Sequence, residues 1–333
     1  MKAIAYSIKS YEKEFLIKAN EKKHDITVIS NRLNSETISF AEGKDAIIVF
    51  TGDDVSGPVI QKLHAMGIKY IATRSTGTDH IDMEEAKRLG IKVANVPSYS
   101  PESIAEHTVM LMLSLNRRVL EFEKTTEKFS FKPSRVIGTT LHGKTVGIVG
   151  FGEIGKALAP ILLGFGAEVL VNDQRDVSDS CKPFNLQQVD FEELLKRSDI
   201  ISFHVPLTTR THHLVNKKAL ELMKDGVMLI NVSRGGIFDA DVIFEGLESG
   251  KISSIGLDVY EYENGLSMED SLNNEEKNLL IQKLINHPKI FFTPHQAFLT
   301  REALQSIAAQ TIQSLDNWNT EKIADTPVLK KVG

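Results

Sequence analysis

Three polar side chains stand where short apolar runs end: Arg234 after LINVS, Glu263 after GLDVYEY and His295 after FFTP. An arginine carries five donors in a fixed fork and holds a carboxylate through two parallel hydrogen bonds, which lysine cannot copy. Gly235 and Gly236 follow Arg234 and leave that strand end open to a ligand. An imidazole titrates near the operating pH, so His295 is the best proton carrier among the ten histidines. A carboxylate hydrogen-bonded to it would favour the protonated ring. Glu263 and Glu261 both qualify, and spacing alone does not choose between them. Together the three residue types suit proton transfer beside a bound carboxylate. Each also has a plainer reading: an arginine on a surface acid, a packed histidine, a solvated glutamate. His204, His212, His213 and His287 are read in that plainer class, and His107 as a helix-packing residue.

The element that must present a reaction partner to these groups is the run GKTVGIVGFGEIGKALAPILLGFGAEVLVND, residues 143 to 173. Lys144 to Val149 alternates and is β-branched, as a buried strand should be, and Gly150, Gly152 and Gly155 follow as G-x-G-x-x-G where the period turns helical. Gly150 makes the tight turn, Gly152 lets backbone approach a pyrophosphate, and Gly155 lets the helix, read from about Ile154 to Leu163, lie close on the sheet. That helix aims its free N–H groups at the phosphate. A second strand, Glu168 to Asn172, delivers Asp173 eighteen residues after the last glycine, where a carboxylate holds the adenosine ribose hydroxyls and repels a 2′-phosphate. The cofactor expected is therefore NAD, with Arg175 as the one residue that could meet the 2′-phosphate of NADP.

Alternation continues on both sides. Short strands are read at Lys2 to Tyr6, Ile26 to Ile29, Ala46 to Phe50, Tyr70 to Thr73 and Val93 to Asn95. A long helix is read over residues 102 to 122, begun by Ser100 as N-cap and Pro101 at its first position. Beyond Asp173 come strands at Ile200 to His204, Val227 to Val232, Ser254 to Val259 and Ile290 to Phe292, which with the first two make six. Such a doubly wound sheet binds ligands off the carboxyl ends of its strands. The fold class expected is α/β, with two Rossmann- or flavodoxin-like doubly wound parallel-sheet domains and the active site in the cleft between them. Residues 100 to 298 form the NAD-binding domain. Residues 1 to 99, with 299 to 333 returning as a covering helix, form the substrate domain.

The chain has 333 residues, a formal net charge of −5 and one cysteine, Cys181. These values give no long-range pull toward nucleic acid or membrane, exclude an intramolecular disulfide and suit a reducing interior. No stretch reaches the ~20 apolar residues of a membrane span, and the N-terminus reads as strand and amphipathic segment rather than secretory signal. A cytoplasmic protein is expected. No metal cluster, P-loop, Ser-His-Asp order or nucleic-acid motif stands out.

The motifs together resemble the D-isomer-specific 2-hydroxyacid dehydrogenase family over nearly the whole chain: RSTGTDHIDM at 74 to 83, VPSYSPESIAEH at 96 to 107, the glycine fingerprint, SDIISFHVPLT at 198 to 208, INVSRGGIFD at 230 to 239, GLDVYEYE at 256 to 263 and TPHQAFLTREAL at 293 to 304. Tyr99 before SPE, LNRRV at 115 to 119, DVYEYE, the polar insertion from Asn264 to His287 and HQAFLT resemble its fermentative D-lactate branch. The resemblance implies that Arg234 anchors the substrate carboxylate and polarises the carbonyl, that His295 is the acid/base and that Glu263 is its partner. It implies that Thr76 and Gly77 offer N–H groups to that carboxylate and that Tyr99 and Phe298 line a small pocket. Glu153 and Ile154 would meet the pyrophosphate, Val205 and Pro206 the adenosine edge, and Val232 and Asp258 the nicotinamide end. Tyr99 and Phe298 could equally be core aromatics, and Asp258 a strand-end turn former. The implied partners are a small 2-keto or 2-hydroxy acid and a second copy of the chain, a homodimer or higher homo-oligomer built by the long helix and an arm near residues 121 to 140. The alternatives are a larger branched-chain or aromatic 2-keto acid as substrate, or an NAD-sensing corepressor-like scaffold without turnover.

Overall fold

The computed structural model describes residues 1–119, 121, 137–263 and 275–320, with backbone alone for 275–278. Two compact units divide the chain: Met1–Ser100 with Leu299–Gly333, and Pro101–Phe298.

In the first unit five parallel strands, β1 (Lys2–Ala5), β2 (Asp25–Val28), β3 (Ala46–Val49), β4 (Tyr70–Thr73) and β5 (Lys92–Ala94), lie in the order β2-β1-β3-β4-β5. Alternation along them divides the core between two faces. Ile4, Ile47, Val49 and Ile71 pack with Ile60 and Leu63 of α2 (Gly57–Ala65) and Ala86 of α3 (Met83–Arg88), whereas Ala3, Ala5, Ala46, Ile48 and Ala72 pack against Leu16 of α1 (Ser10–Asn20) and the C-terminal helix Arg301–Asn319. The small alanines on that second face let the C-terminal helix bring Ile312, Leu315 and Trp318 close, and the Trp318 ring stacks on Tyr70 with centroids 4.9 Å apart. Period-two burial on both faces is what a parallel sheet with helices on each side requires.

The second unit is a seven-stranded parallel sheet in the order β12-β11-β10-β9-β6-β7-β8. Its strands are β6 (Thr145–Val149), β7 (Glu168–Asn172), β8 (Gln187–Gln188), β9 (Ile200–Phe203), β10 (Val227–Asn231), β11 (Ile252–Leu257) and β12 (Ile290–Phe292). Strand order runs outward in opposite directions from the β6–β9 pair, so the crevice of a doubly wound sheet opens beyond the carboxyl ends of these two. One strand more than the six expected is present. The addition, β8, is two glutamines on the sheet edge, and a polar two-residue strand carries no hydrophobic period. The helix opening this unit, α4 (Pro101–Asn116), stops six residues before the expected end. There Thr139 N–H donates to Asn116 O, its hydroxyl donates to Asn116 Oδ1, and a side chain at Gly138 would strike the Asn116 carbonyl. A returning strap thus takes the carbonyl that a further turn would have used. Most of the expected arm near 121 to 140, and residues 264–274 of the insertion from Asn264 to His287, lie outside the described residues, whereas the rest of the insertion forms a helix, Glu275–Asn286. Among the described residues no helix is long and apolar enough to cross a membrane.

Candidate active site

After β12 the chain turns through Thr293-Pro294-His295, and His295 adopts φ +47°, a left-handed conformation unusual for a residue with a Cβ. Such a conformation costs on the order of 1–3 kcal/mol and persists only where its surroundings over-determine it. Asp258, just past β11, supplies that constraint. Its carbonyl accepts from His295 N–H at 2.8 Å, and its buried carboxylate accepts from Gln296 N–H at 2.9 Å, Ala297 N–H at 2.8 Å and the Thr293 hydroxyl at 2.6 Å. His107 on α4 closes the set, with Nε2 2.9 Å from the Thr293 hydroxyl. Burial lowers the pKa of His107 against the charge of Asp258. Asp258 therefore uses its carboxylate to shape the loop that carries His295.

His295 Nδ1 lies 2.8 Å from Glu263 Oε1. An ionised carboxylate only accepts, so Nδ1 carries the hydrogen and Nε2 is the position that gains or loses a proton. Burial draws this imidazole down, but the hydrogen bond to Glu263 and the charges of Glu263 and Asp258 outweigh burial and the opposing Arg234, leaving its pKa raised. Glu263 is steadied in turn by Tyr260, whose N–H donates to Oε2 at 3.3 Å. The neighbouring acid Glu261 points elsewhere, to His212 and His213, which separates the two glutamates that spacing left equivalent.

Arg234 sits at the end of β10 with extended backbone, φ −141° and ψ 138°. Fully buried Asn231 builds its loop: Oδ1 accepts from the Ser233 N–H and hydroxyl at 3.0 and 2.8 Å, and Nδ2 donates to Arg234 O at 2.9 Å. Gly235 then lies directly on the Tyr260–Glu261 backbone, with no room for a Cβ. The arginine and glutamate loops are thus pressed together, and Arg234 is near enough to His295 for its charge to act on the ring. The parts played by His107 and Thr293 carry no sequence signal, and that of Asn231 has one, an asparagine ending a buried strand just before the arginine.

The glycine turn has the form that a pyrophosphate requires. Gly150 is at φ +95°, and a Cβ there would lie 2.6 Å from His204 O and 2.9 Å from Val205 Cγ1. A Cβ on Gly155 would strike Gly150 O, so helix α5 (Glu153–Gly164) can lie against β6 only without one. On Gly152 a Cβ would meet nothing within 4 Å, and as N-cap of α5 this residue has no side chain to occupy the first N–H groups. That open, donor-rich end fits a dinucleotide phosphate. Glu153 is exposed and Ile154 half-buried beside it. Asp173 ends β7 with one oxygen accepting from Phe151 N–H at 2.9 Å, tying the ribose-side carboxylate to the turn. Burial would raise its pKa, but Arg175 and the backbone donors bring it below the usual value, so it stays ionised. Arg175 folds back onto it, Nε 3.2 Å from Oδ1. Val205 and exposed Pro206 follow β9, and buried Val232 follows β10, all at carboxyl ends.

In the first unit, Thr76 and Gly77 form a loop beyond β4. Thr76 Oγ1 donates to Val96 O at 2.8 Å, Ser75 Oγ to Gly77 O at 2.7 Å and Asn95 Nδ2 to Thr76 O at 2.7 Å. Among the described residues neither Thr76 N–H nor Gly77 N–H donates to a protein acceptor. The loop is anchored below by buried Arg74, which donates to Glu12 Oε2 and Tyr6 O, each at 2.8 Å. Tyr99 in this unit and Phe298 in the other are half-buried.

Residues 109–297 match the family described as D-isomer specific 2-hydroxyacid dehydrogenase, NAD binding domain. The chain is 41% identical over 318 residues to a D-lactate dehydrogenase of Escherichia coli (strain K12), covering 95% of this chain and 96% of that protein. Among solved structures it is similar to the pyruvate reductase of Chlamydomonas reinhardtii, with TM-score 0.89, 37% identity and 97% of each chain covered. It is also similar to a D-lactate dehydrogenase from Aquifex aeolicus complexed with NAD and lactic acid, with TM-score 0.86, 33% identity and 96% of each chain covered.

Proposed function

The chain belongs to the D-isomer-specific 2-hydroxyacid dehydrogenase family, and from that premise we propose that it is an NAD-dependent D-lactate dehydrogenase, reversibly reducing pyruvate to D-lactate. The observation that carries the reading is the 2.8 Å pairing of His295 Nδ1 with Glu263 on a loop that Asp258 fixes, with Arg234 alongside. Similarity over nearly the full length to the E. coli enzyme supports the choice of lactate.

Arg234 grips the substrate carboxylate with its fork and draws electron density from the C2 carbonyl oxygen. When bound, NAD supplies or accepts the hydride at C2. His295 delivers the Nε2 proton to the oxygen as C2 is reduced and takes it back in the reverse direction, while Glu263 keeps the ring oriented and stabilises its charged form. Thr76 and Gly77 offer backbone N–H groups to the substrate carboxylate, and Tyr99 and Phe298 limit the side chain accepted. The pyrophosphate would be held by Gly150, Gly152, Glu153, Ile154 and Gly155, the ribose by Asp173, the adenosine edge by Val205 and Pro206, and the nicotinamide end by Val232 and Asp258. Asp258 also holds the His295 loop. The chain acts as a cytoplasmic, fermentative homodimer or higher homo-oligomer, and its oligomeric state is checked by light scattering on the purified chain.

The test is NADH oxidation with pyruvate, phenylpyruvate, 4-methyl-2-oxopentanoate and hydroxypyruvate side by side, with chiral analysis of the product. The highest kcat/KM with pyruvate and a D-product are expected. Preference for a bulkier keto acid, an L-product, or NADH binding without turnover would each overturn the reading.

A further inference from the structure

His212, His213 and Glu261 are absent from the chemistry above, yet they converge. His213 Nε2 lies 3.3 Å from Glu261 Oε1, and His212 Nε2 lies 3.4 Å from the same oxygen. The two rings stack with centroids 3.9 Å apart and 22° between planes, and both Nε2 atoms lie near Glu261 Oε1. His213 reaches this pose at φ +49°, the left-handed region that a branched backbone position avoids. Its own N–H donates to Gly236 O at 2.8 Å, which fixes the turn. The three candidate ligand atoms all fall within 4.8 Å of one another.

The separations are informative. N···O distances of 3.3 and 3.4 Å lie at the long end of hydrogen bonding, whose N–H···O mode is about 2.9–3.0 Å. Donors held about 2.05 Å from one tetrahedral ion stand about 3.35 Å apart, the spacing found here between each imidazole nitrogen and the Glu261 oxygen. Two imidazole nitrogens and one carboxylate oxygen suit zinc-class ions rather than calcium or magnesium, which take oxygen. Asp239 Oδ2 lies 3.9 Å from His213 Nδ1, on the other nitrogen of that ring, so its negative charge faces the ligating imidazole from behind. His212 is half exposed and His213 about one third, so an ion has an entry path, while Glu261 is largely covered.

We propose that His212, His213 and Glu261 form a binding site for one Zn²⁺-class ion per chain, with a fourth position open to water. The ion fastens the turn at 208–213 to Glu261, beside the Gly235 contact. Neither the residues nor the binding depends on the dehydrogenase reading, so the test reads metal directly.

Untagged, chelator-treated full-length protein is titrated with ZnCl₂ by calorimetry and with CoCl₂ by visible absorption, alongside His212→Gln and Glu261→Gln. Circular dichroism establishes that the variants are folded. Expected are one equivalent of zinc, the intense d–d bands of four-coordinate cobalt, and a Tm raised by zinc in the parent chain. Each variant should bind at least about tenfold more weakly and lose the rise in Tm. No saturable zinc binding, an octahedral cobalt spectrum, or binding left unchanged by both substitutions would overturn the site.

Discussion

Replacing Gly235 with alanine adds a single methyl group where the arginine loop meets the segment carrying Glu263. The ideal Cβ would lie 2.6 Å from Glu261 Cα and closer still to Glu261 N and the Tyr260 carbonyl carbon. Ordinary contact begins near 3.4 Å, so Glu261 Cα alone must retreat by about 0.8 Å (3.4 − 2.6), and the peptide before it by more. These are backbone atoms, with no rotamer to absorb the shift. A misplacement of ~1 Å among groups that must act together costs on the order of 10²-fold in rate, or about 2.7 kcal/mol at ~1.36 kcal/mol per tenfold. Overpacking costs about 1–3 kcal/mol of stability, which a domain holding ~5–15 kcal/mol survives. The assay is steady-state pyruvate reduction with NADH binding measured separately by fluorescence. Gly235→Ala should lower kcat/KM by about two orders of magnitude, with NADH affinity retained because the glycine turn is untouched. Gly236→Ala is the control: its Cβ would meet the Leu207 methyls at 3.3 Å, which can yield, and Glu261 Oε1 at 3.6 Å, an ordinary contact, so its kcat/KM should stay within a few-fold. Wild-type turnover in Gly235→Ala, or an equal loss in both variants, would refute the argument that this backbone contact sets the spacing of Arg234 and Glu263.

Four further outcomes are expected. Arg234→Gln should raise KM and lower kcat together, because the fork acts on the ground state and on the charge developing at the carbonyl oxygen; normal pyruvate kinetics would remove Arg234 from the site. His295→Ala should lose on the order of 10²-fold or more in kcat while still binding NADH, whereas lost cofactor affinity would indicate a structural role. Because Glu263 keeps His295 protonated to higher pH, pyruvate reduction should fall as pH rises through the raised imidazole pKa and D-lactate oxidation should rise over the same window; Glu263→Gln should move both limbs to lower pH, and unmoved profiles would count against the pairing. Asp258→Asn sets an amide N–H against one of the two loop N–H donors it now accepts from, so urea titration should show a loss of about 1–3 kcal/mol with lower kcat, and unchanged stability would contradict the loop-holding role.

Much of this architecture was legible because burial imposes a period. The runs ending at Val149, Asn172 and Phe203 are buried strands whose apolar residues announce them, and the glycine turn was readable because Gly150 and Gly155 each stand where a Cβ collides with backbone. What escaped has no period. The polar edge strand Gln187–Gln188 is defined by its partner alone, and α4 ends at Asn116 because a strap some twenty residues later takes its carbonyl. The same holds for the choice between Glu261 and Glu263: residues two apart in a turn diverge, and only the positions of His295 on one side and of His212 and His213 on the other separate them. Asp258, Asn231 and Asp173 share a device, an acidic or amide side chain at a strand's carboxyl end accepting loop N–H groups: Asn231 from the loop after its own strand, Asp258 from the loop after the neighbouring β12, and Asp173 from the turn after the neighbouring β6. Such acceptors are short and stiff, so the strand transmits its position to the loop. This is why His295 can sit in a left-handed conformation at a fixed distance from Glu263: Asp258, anchored by β11 on the sheet, holds the backbone on both sides of it.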